Sequence, residues 1–360
     1  MNTHARVLFC TLVNLFVTPH QQQSFKALMA LFLRGDGRPE PAHAAGKSES
    51  ALSRFLNRYA WGAAALARVA RRAAVRSLLE YYATRRGRRA RLLIMLDLTT
   101  LEKAGRFERL GLVSVLNKRR GLHLVVAYLV AGPLRLPWGF RVWRGKGEAS
   151  PVELALSLLR SLPKTLLRFE PLVLADGGFG SNEFLLGVKR LNLDAVVGVR
   201  KDRRLEDGRR ISQASSGERV TPTGLPFSVV TARFYLPREG GRETRYALAT
   251  FTASGRVIAR WGRRRWRIEA FFKTVKGRFG LARCAQATRK GAYRYLLLCL
   301  LAFTLTQWRV WETQGEWPDW GAAINLTRHE LVPDIILVEL TTQMKRLQPY
   351  LEAARTPAGT

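Results

Sequence analysis

The sequence predicts an α/β fold: a mixed five-stranded sheet flanked by helices, with a helical region before it and a β-rich insertion late in the chain. Three observations predict it. Apolar runs of strand length recur from about residue 90, segments of helical character alternate with them from Pro151, and the chain before Arg89 is helix-rich.

In chain order, residues 5–17 form an apolar stretch without the basic start and small-residue cleavage site of a secretory signal, and read as a buried helix. Residues 25–33 have helical content and stop at the breaker cluster Gly35-Asp36-Gly37. A second helix starts behind the polar cap at Lys47-Ser48, and a third runs over about 61–82 with Arg68, Arg71, Arg72 and Arg76 along it. Short helices with a basic face suit a helix-turn-helix DNA reader, with a helical cap with a solvated basic side as the alternative. The run Arg85 to Arg89 is a compact linker and a candidate phosphate contact, which closes a first region at 1–89.

The second region, 90–200, carries strand candidates at 92–98, 122–130, 138–144, 172–176 and 195–199, with helices at 151–160 and 182–191. Ala131-Gly132-Pro133 punctuates a hairpin between the second and third strands. Residues 201–252 form the β-rich insertion, with strands at 227–235 and 246–251 flanking Gly240-Gly241. A long helix carrying Glu269 and an apolar helix near 295–311 fill 253–312, and a helical segment ends the chain at 313–360.

The charge balance limits the partners. Sixty Lys+Arg stand against 27 Asp+Glu, a formal net charge of +33, and such an excess calls for a polyanion, nucleic acid before an anionic membrane surface. Hydrophobic content of 47% excludes a disordered chain. The three cysteines, Cys10, Cys284 and Cys299, show no CxxC spacing, so neither a disulfide framework nor a zinc site is expected. The apolar stretch at 295–305 is shorter than the roughly 20 residues a bilayer needs. A soluble, cytoplasmic, nucleoid-associated protein is expected.

Candidate chemistry lies in the acids. Asp97 and Asp176 each end an apolar strand run, so each side chain is delivered to the edge of a sheet. With a third acid, Glu269, from a helix, they form an oxygen donor set suited to two Mg²⁺ ions, with Mn²⁺ as substitute, in phosphoryl transfer. Each acid has an ordinary alternative: Asp176-Gly177-Gly178 is turn-like, and Glu269 could simply pair with Arg265 or Lys273 one helical turn away. Glu102, Glu148, Asp194 and Asp202 compete as ligands. Ile268, Phe271, Phe272 and Val275 face a core at helical spacing, while Arg265, Glu269 and Lys276 share a flank, cations bracketing a carboxylate. Of Trp138, Trp143 and Trp266, most are assigned to core packing rather than to base stacking.

Those residues resemble a bacterial insertion-sequence transposase of the DDE superfamily, in the group whose last acid lies in a Tyr-x2-Arg-x3-Glu-x6-Lys signature. The matching positions are Arg265, Glu269 and Lys276. Leu96-Asp97-Leu98-Thr99 resembles the strand of the first acid and Ala175-Asp176-Gly177-Gly178-Phe179 that of the second. The likeness spans about residues 48–308. The tyrosine of the signature is replaced by Gly262, with Trp261 beside it. The resemblance implies an RNase H-like core and cut-and-paste movement of DNA. It implies that Asp97, Asp176 and Glu269 are catalytic and hold two Mg²⁺. DNA is expected at Arg265, Lys276, Lys273 and Trp261, and a homodimer is expected to pair two double-stranded DNA ends. A catalytically silent DNA-binding derivative and an unrelated RNase H-type nuclease are the competing classes.

Overall fold

The computed structural model describes residues 4–84, 90–104, 110–238, 241–313 and 319–355. The basic run at 85–89 and Gly240 of the expected hairpin lie outside the described residues. The chain divides into two compact units, Ala74–Lys273 and Met1–Ala73 with Thr274–Thr360.

In the first of these units, all five expected strands form: β1 (Leu93–Glu102), β3 (Arg119–Ala131), β4 (Leu134–Trp143), β5 (Leu172–Ala175) and β6 (Asp194–Val199). They lie in the order β4-β3-β1-β5-β6, with β4, β3 and β1 antiparallel neighbours and β5 and β6 parallel to β1. This mixed sheet is the RNase H-like core that the resemblance implies. It also runs further than five strands. Short β2 (Ser114–Leu116) pairs with the start of β3, and the insertion strands β7 (Arg219–Val220), β8 (Val229–Arg238) and β9 (Gly241–Ala249) join through β6–β9 pairing. The described residues thus form one nine-stranded sheet. The insertion is continuous with it because β9 satisfies the edge of β6, which would otherwise present an unpaired row of backbone groups.

Residues 121–131 of β3 are buried throughout, which marks a central strand covered on both faces. At the β3–β4 turn Gly132 has a φ of +54°, and any Cβ there would overlap the Tyr81 hydroxyl, so the turn requires glycine. Helix α5 (Pro151–Arg160) packs on β3 and β4 and starts with a capping box, Ser150 and Glu153, behind Pro151. Helix α6 (Asn182–Arg190), capped by Ser181, follows β5 and packs on β6.

The other unit is helical. Helices α1 (His4–Val13), α2 (Pro19–Phe32) and α3 (Glu49–Asn57) pack against α9 (Arg289–Thr313), with Phe16, Phe25, Phe55 and Trp61 in one aromatic cluster. The long helix α4 (Ala63–Ala83) follows α3 and belongs to this unit only up to Ala73, and α10 (Trp320–Leu331) and α11 (Pro333–Arg355) end the described chain. No helix among the described residues is long and apolar enough to cross a membrane.

Candidate catalytic site

Strand pairing brings the first two acids together. β1 and β5 are parallel, their last registered pair is Leu96 with Ala175, and the next residue of each is Asp97 or Asp176. Neighbouring strands lie about 5 Å apart, so the two carboxylates stand side by side where β5 ends. Asp97 is 8% exposed; its Oδ1 accepts from the Leu98 amide at 2.8 Å. Asp176 Oδ1 accepts from the Gly178 amide at 3.0 Å, so the turn-like character of Asp-Gly-Gly is real and coexists with the position beside Asp97. The turn after Asp176 sits hard against β6: a Cβ on Gly198 would lie 2.9 Å from the Gly177 nitrogen, and one on Gly180 2.5 Å from the Gly198 oxygen.

Glu269 comes from α8 (Arg267–Gly277), which is anchored by buried Ile268 and by Phe271 stacked on Tyr128 of β3 at 4.4 Å. The single long helix expected here is two. Helix α7 (Gly255–Arg264) ends and α8 begins across Arg265-Trp266, where the bonds tighten to i→i+3, Ile268 N to Arg265 O and Glu269 N to Trp266 O. Arg265 therefore shares a tight turn with Glu269 rather than a continuous helical flank. Its guanidinium spans the acids, donating to Asp97 Oδ2 at 3.1 Å and to Glu269 Oε1 at 3.3 Å.

The other expected DNA contacts lie on the same two helices. Trp261 on α7 is half-buried with the Arg264 guanidinium 4.7 Å from its ring; Lys273 is exposed on α8, and Lys276 is half-buried in its last turn. The replacement of the signature tyrosine has a steric reason. A Cβ on Gly262 would come within 2.8 Å of the buried Phe234 ring of β8, so this ring fills space that a larger residue would need.

Burial, then the charge of Asp176, push the Asp97 carboxyl up to about 6, with Arg265 opposing them. Burial also raises Glu269, against the pull of Arg265 and of Arg245 from β9. Without metal, a raised Asp97 stabilises the fold only while protonated. That contribution is complete below the ordinary value of 3.8 and is lost as pH rises through about 6. Relative to Asp97→Asn in chelator, the native chain is expected to lose about 2 kcal/mol between pH 4 and pH 7. Paired denaturant titrations at the two pH values measure it.

The donor chemistry fits a hard divalent cation. Two adjacent carboxylates, one of them buried and raised first by burial and then by its neighbour's charge, supply hard oxygen donors, and Arg265 is the cation that meets Asp97 in the structure. Among the described residues no three acids, histidines or cysteines are drawn into a ligating cluster. Arg265 lies where Glu269 would approach Asp97. The competing acids lie elsewhere. Asp194 starts β6 beside Leu172, at the far end of β5 from Asp176, and pairs with Arg91 at 2.7 Å. Glu102 faces Arg119, Glu148 pairs with Arg144 and Asp202 with Arg200. Trp138 and Trp143 are buried in the sheet as expected, Trp138 donating to Ser161. Neither Arg245 nor Phe234 is legible along the chain, because only the alternation of β8 and β9, paired in register, shows which of their residues turn toward α7 and α8.

The site thus consists of an RNase H-like sheet with aspartates just beyond the ends of adjacent parallel strands, and a glutamate on α8, after the insertion strands, tied to the first aspartate through Arg265. The model of the Transposase DDE domain matches residues 115–305, taking in Asp176 and Glu269 and beginning after the strand that carries Asp97. The chain belongs to this transposase family. Among solved structures it is similar to a piggyBac transposase synaptic complex with hairpin DNA, at TM-score 0.50 and 11% identity, over 94% of this chain and 78% of that one. At that identity the likeness speaks for the fold alone. No curated protein matches the chain.

Proposed function

We propose that the chain is an active DNA transposase that cleaves and rejoins phosphodiesters at the ends of an insertion sequence by a cut-and-paste route. The observation that carries this is the placement of Asp97 and Asp176 on adjacent parallel strands, with Glu269 tied to Asp97 through Arg265. Asp97, Asp176 and Glu269 would hold two Mg²⁺, or Mn²⁺ in their place. Bound there, the ions would supply Lewis-acid activation of the attacking hydroxyl and neutralise charge at the phosphorus. In the metal-free arrangement Arg265 neutralises the acids. Released from them, it would join Lys273, Lys276 and Trp261 along the DNA backbone. The N-terminal helices, with Ser50, Ser53 and Arg54 exposed on α3, would read the terminal repeat. The nucleoid is the matching place of work. The test is nicking of duplexes carrying the sequence that flanks the gene. Strand cleavage at the repeat boundary that needs Mg²⁺ or Mn²⁺ supports the reading, whereas gel shifts without any nicking identify a silent DNA-binding derivative.

A homodimer that pairs two DNA ends belongs to the same reading, and α11 supplies a surface for it. Leu337, Leu340, Met344 and Leu347 recur at intervals of three and four along this helix and are 51–71% exposed. That is the a/d spacing of a two-stranded coil, and the flanking Thr341, Gln343 and Gln348 carry no charge to repel a second copy. Replacing Leu340 and Leu347 together by Lys is expected to convert a dimer to a monomer in sedimentation velocity without DNA.

A further inference from the structure

One strand beyond Asp176, where β6 ends, the surface of the unit Ala74–Lys273 has an open recess of about 390 Å³, with Asp202 the one carboxylate on its lining. Gly177 and Gly180 from the turn after Asp176 line it, with Asn182 at the start of α6 and Arg200, Arg203 and Arg204 from the segment after β6. Arg203 is built into the wall, donating to the Gly180 carbonyl and to Asn182 Oδ1. Arg200 faces Asp202 at 3.4 Å in solvent. The Arg204 side chain is exposed and its guanidinium has no hydrogen-bond or ion-pair partner among the described residues.

Three guanidiniums against one carboxylate select an anion, and planar forked donors match the oxygens of a phosphate. The volume lies in the range of small-ligand sites and admits about one nucleotide, whereas a duplex presents a broad surface that a recess does not take in. The site begins one residue after Asp176, so a strand laid across Asp97 and Asp176 reaches it without leaving the edge of the sheet.

We propose that this recess is a phosphate subsite for an unpaired nucleotide flanking the cleavage position. It is a single-strand site separate from the duplex contacts of α7 and α8. Which strand arrives there rests on the reading of Asp97, Asp176 and Glu269 as the cutting centre; the recess itself does not.

The test is binding in chelator, read by fluorescence anisotropy, of a blunt duplex and of the same duplex with a short unpaired flank. The native chain is compared with Arg200→Ala/Arg204→Ala, two exposed positions whose loss leaves the wall residue Arg203 in place. The native chain should prefer the flanked probe. The double variant should lose that preference, with affinity for the flanked probe down about tenfold, and the slope of log affinity on log salt should shrink by about 1.4, or 0.7 for each single-strand phosphate contact. Blunt-duplex binding should stay within about twofold, the scale of a lost contact outside the footprint. Equal losses on both probes would make these arginines part of a general duplex surface and overturn the subsite, as would no loss on either. Binding is read in chelator and nicking in the separate metal-dependent assay, so the two readings fail separately. A chain that prefers the flank through these arginines but never nicks DNA sinks the proposed activity alone. Metal-dependent nicking with the flank preference intact in the double variant sinks the subsite alone.

Discussion

Asp97→Asn, Asp176→Asn and Glu269→Gln are each expected to lower metal-dependent nicking on the order of 10²–10³-fold, because a metal centre supplies several kcal/mol of transition-state stabilisation and each tenfold in rate is about 1.4 kcal/mol. DNA affinity in chelator should stay within about twofold, since none of the three is a phosphate-binding cation. The amides keep shape and most hydrogen bonds while removing the charge that a hard cation needs. Asp97→Asn has a second signature. It removes a buried carboxyl raised to about 6 from beside Asp176, so the metal-free variant should be more stable than the native chain at neutral pH while nicking less. A residue of purely structural importance would lose both together. Glu102→Gln and Glu148→Gln, exposed and paired with arginines, are controls that should nick normally. Equal activity in all three site variants, with tight DNA binding, would remove the metal assignment.

Much of this site is legible along the chain because two apolar strands that each end in a carboxylate, within a basic protein, point to a shared cation. Asp97 and Asp176 follow runs whose burial is complete, and the run length sets where each side chain emerges. Glu269 is legible from the apolar stripe of Ile268, Phe271, Phe272 and Val275, all four of which are buried. What the chain does not announce depends on pairing between distant segments. Arg265 reads as a phosphate clamp by its spacing, yet its guanidinium meets Asp97, 168 residues earlier, because the helix breaks beside it. The extension of the sheet to nine strands depends on β9 choosing the edge of β6, and no local pattern encodes that choice. Gly262 looks like a lost contact until Phe234 is seen against it. Along the chain the arginines after β6 carry no signal of their own, and only the fold gathers them around an open recess beside the turn after Asp176.

Arg294→Ala is expected to cost about 3–5 kcal/mol, because several buried carbonyls lose a charged donor at once. Arg294 is 1% exposed on α9 and meets no carboxylate among the described residues. Its guanidinium donates instead to the carbonyls of Phe55 and Leu56 at 3.2 and 2.8 Å, of Tyr59 at 2.8 Å and of Trp61, and lies 3.9 Å from the centre of the Trp61 ring. These are carbonyls in and just after the last turn of α3, which need donors that water cannot supply in a buried place. Burial lowers Arg294 to about 10, so it remains charged at neutral pH and the four acceptors and the aromatic face are its compensation. Removing it leaves several acceptors unsatisfied at once, each worth about 1–3 kcal/mol in isolation, with part recovered by relaxation. Arg294→Met separates polarity from volume: it refills the space but supplies no donors, and should be nearly as damaging as Ala. Arg294→Lys should fall between, since one ammonium cannot reach carbonyls spread along the chain from Phe55 to Trp61 as a fork does. Urea unfolding followed by intrinsic tryptophan fluorescence gives the midpoint shifts. If Met restored native stability, the cost would be one of packing alone, and Arg294 would not be the donor that closes α3 in front of its candidate DNA-reading face.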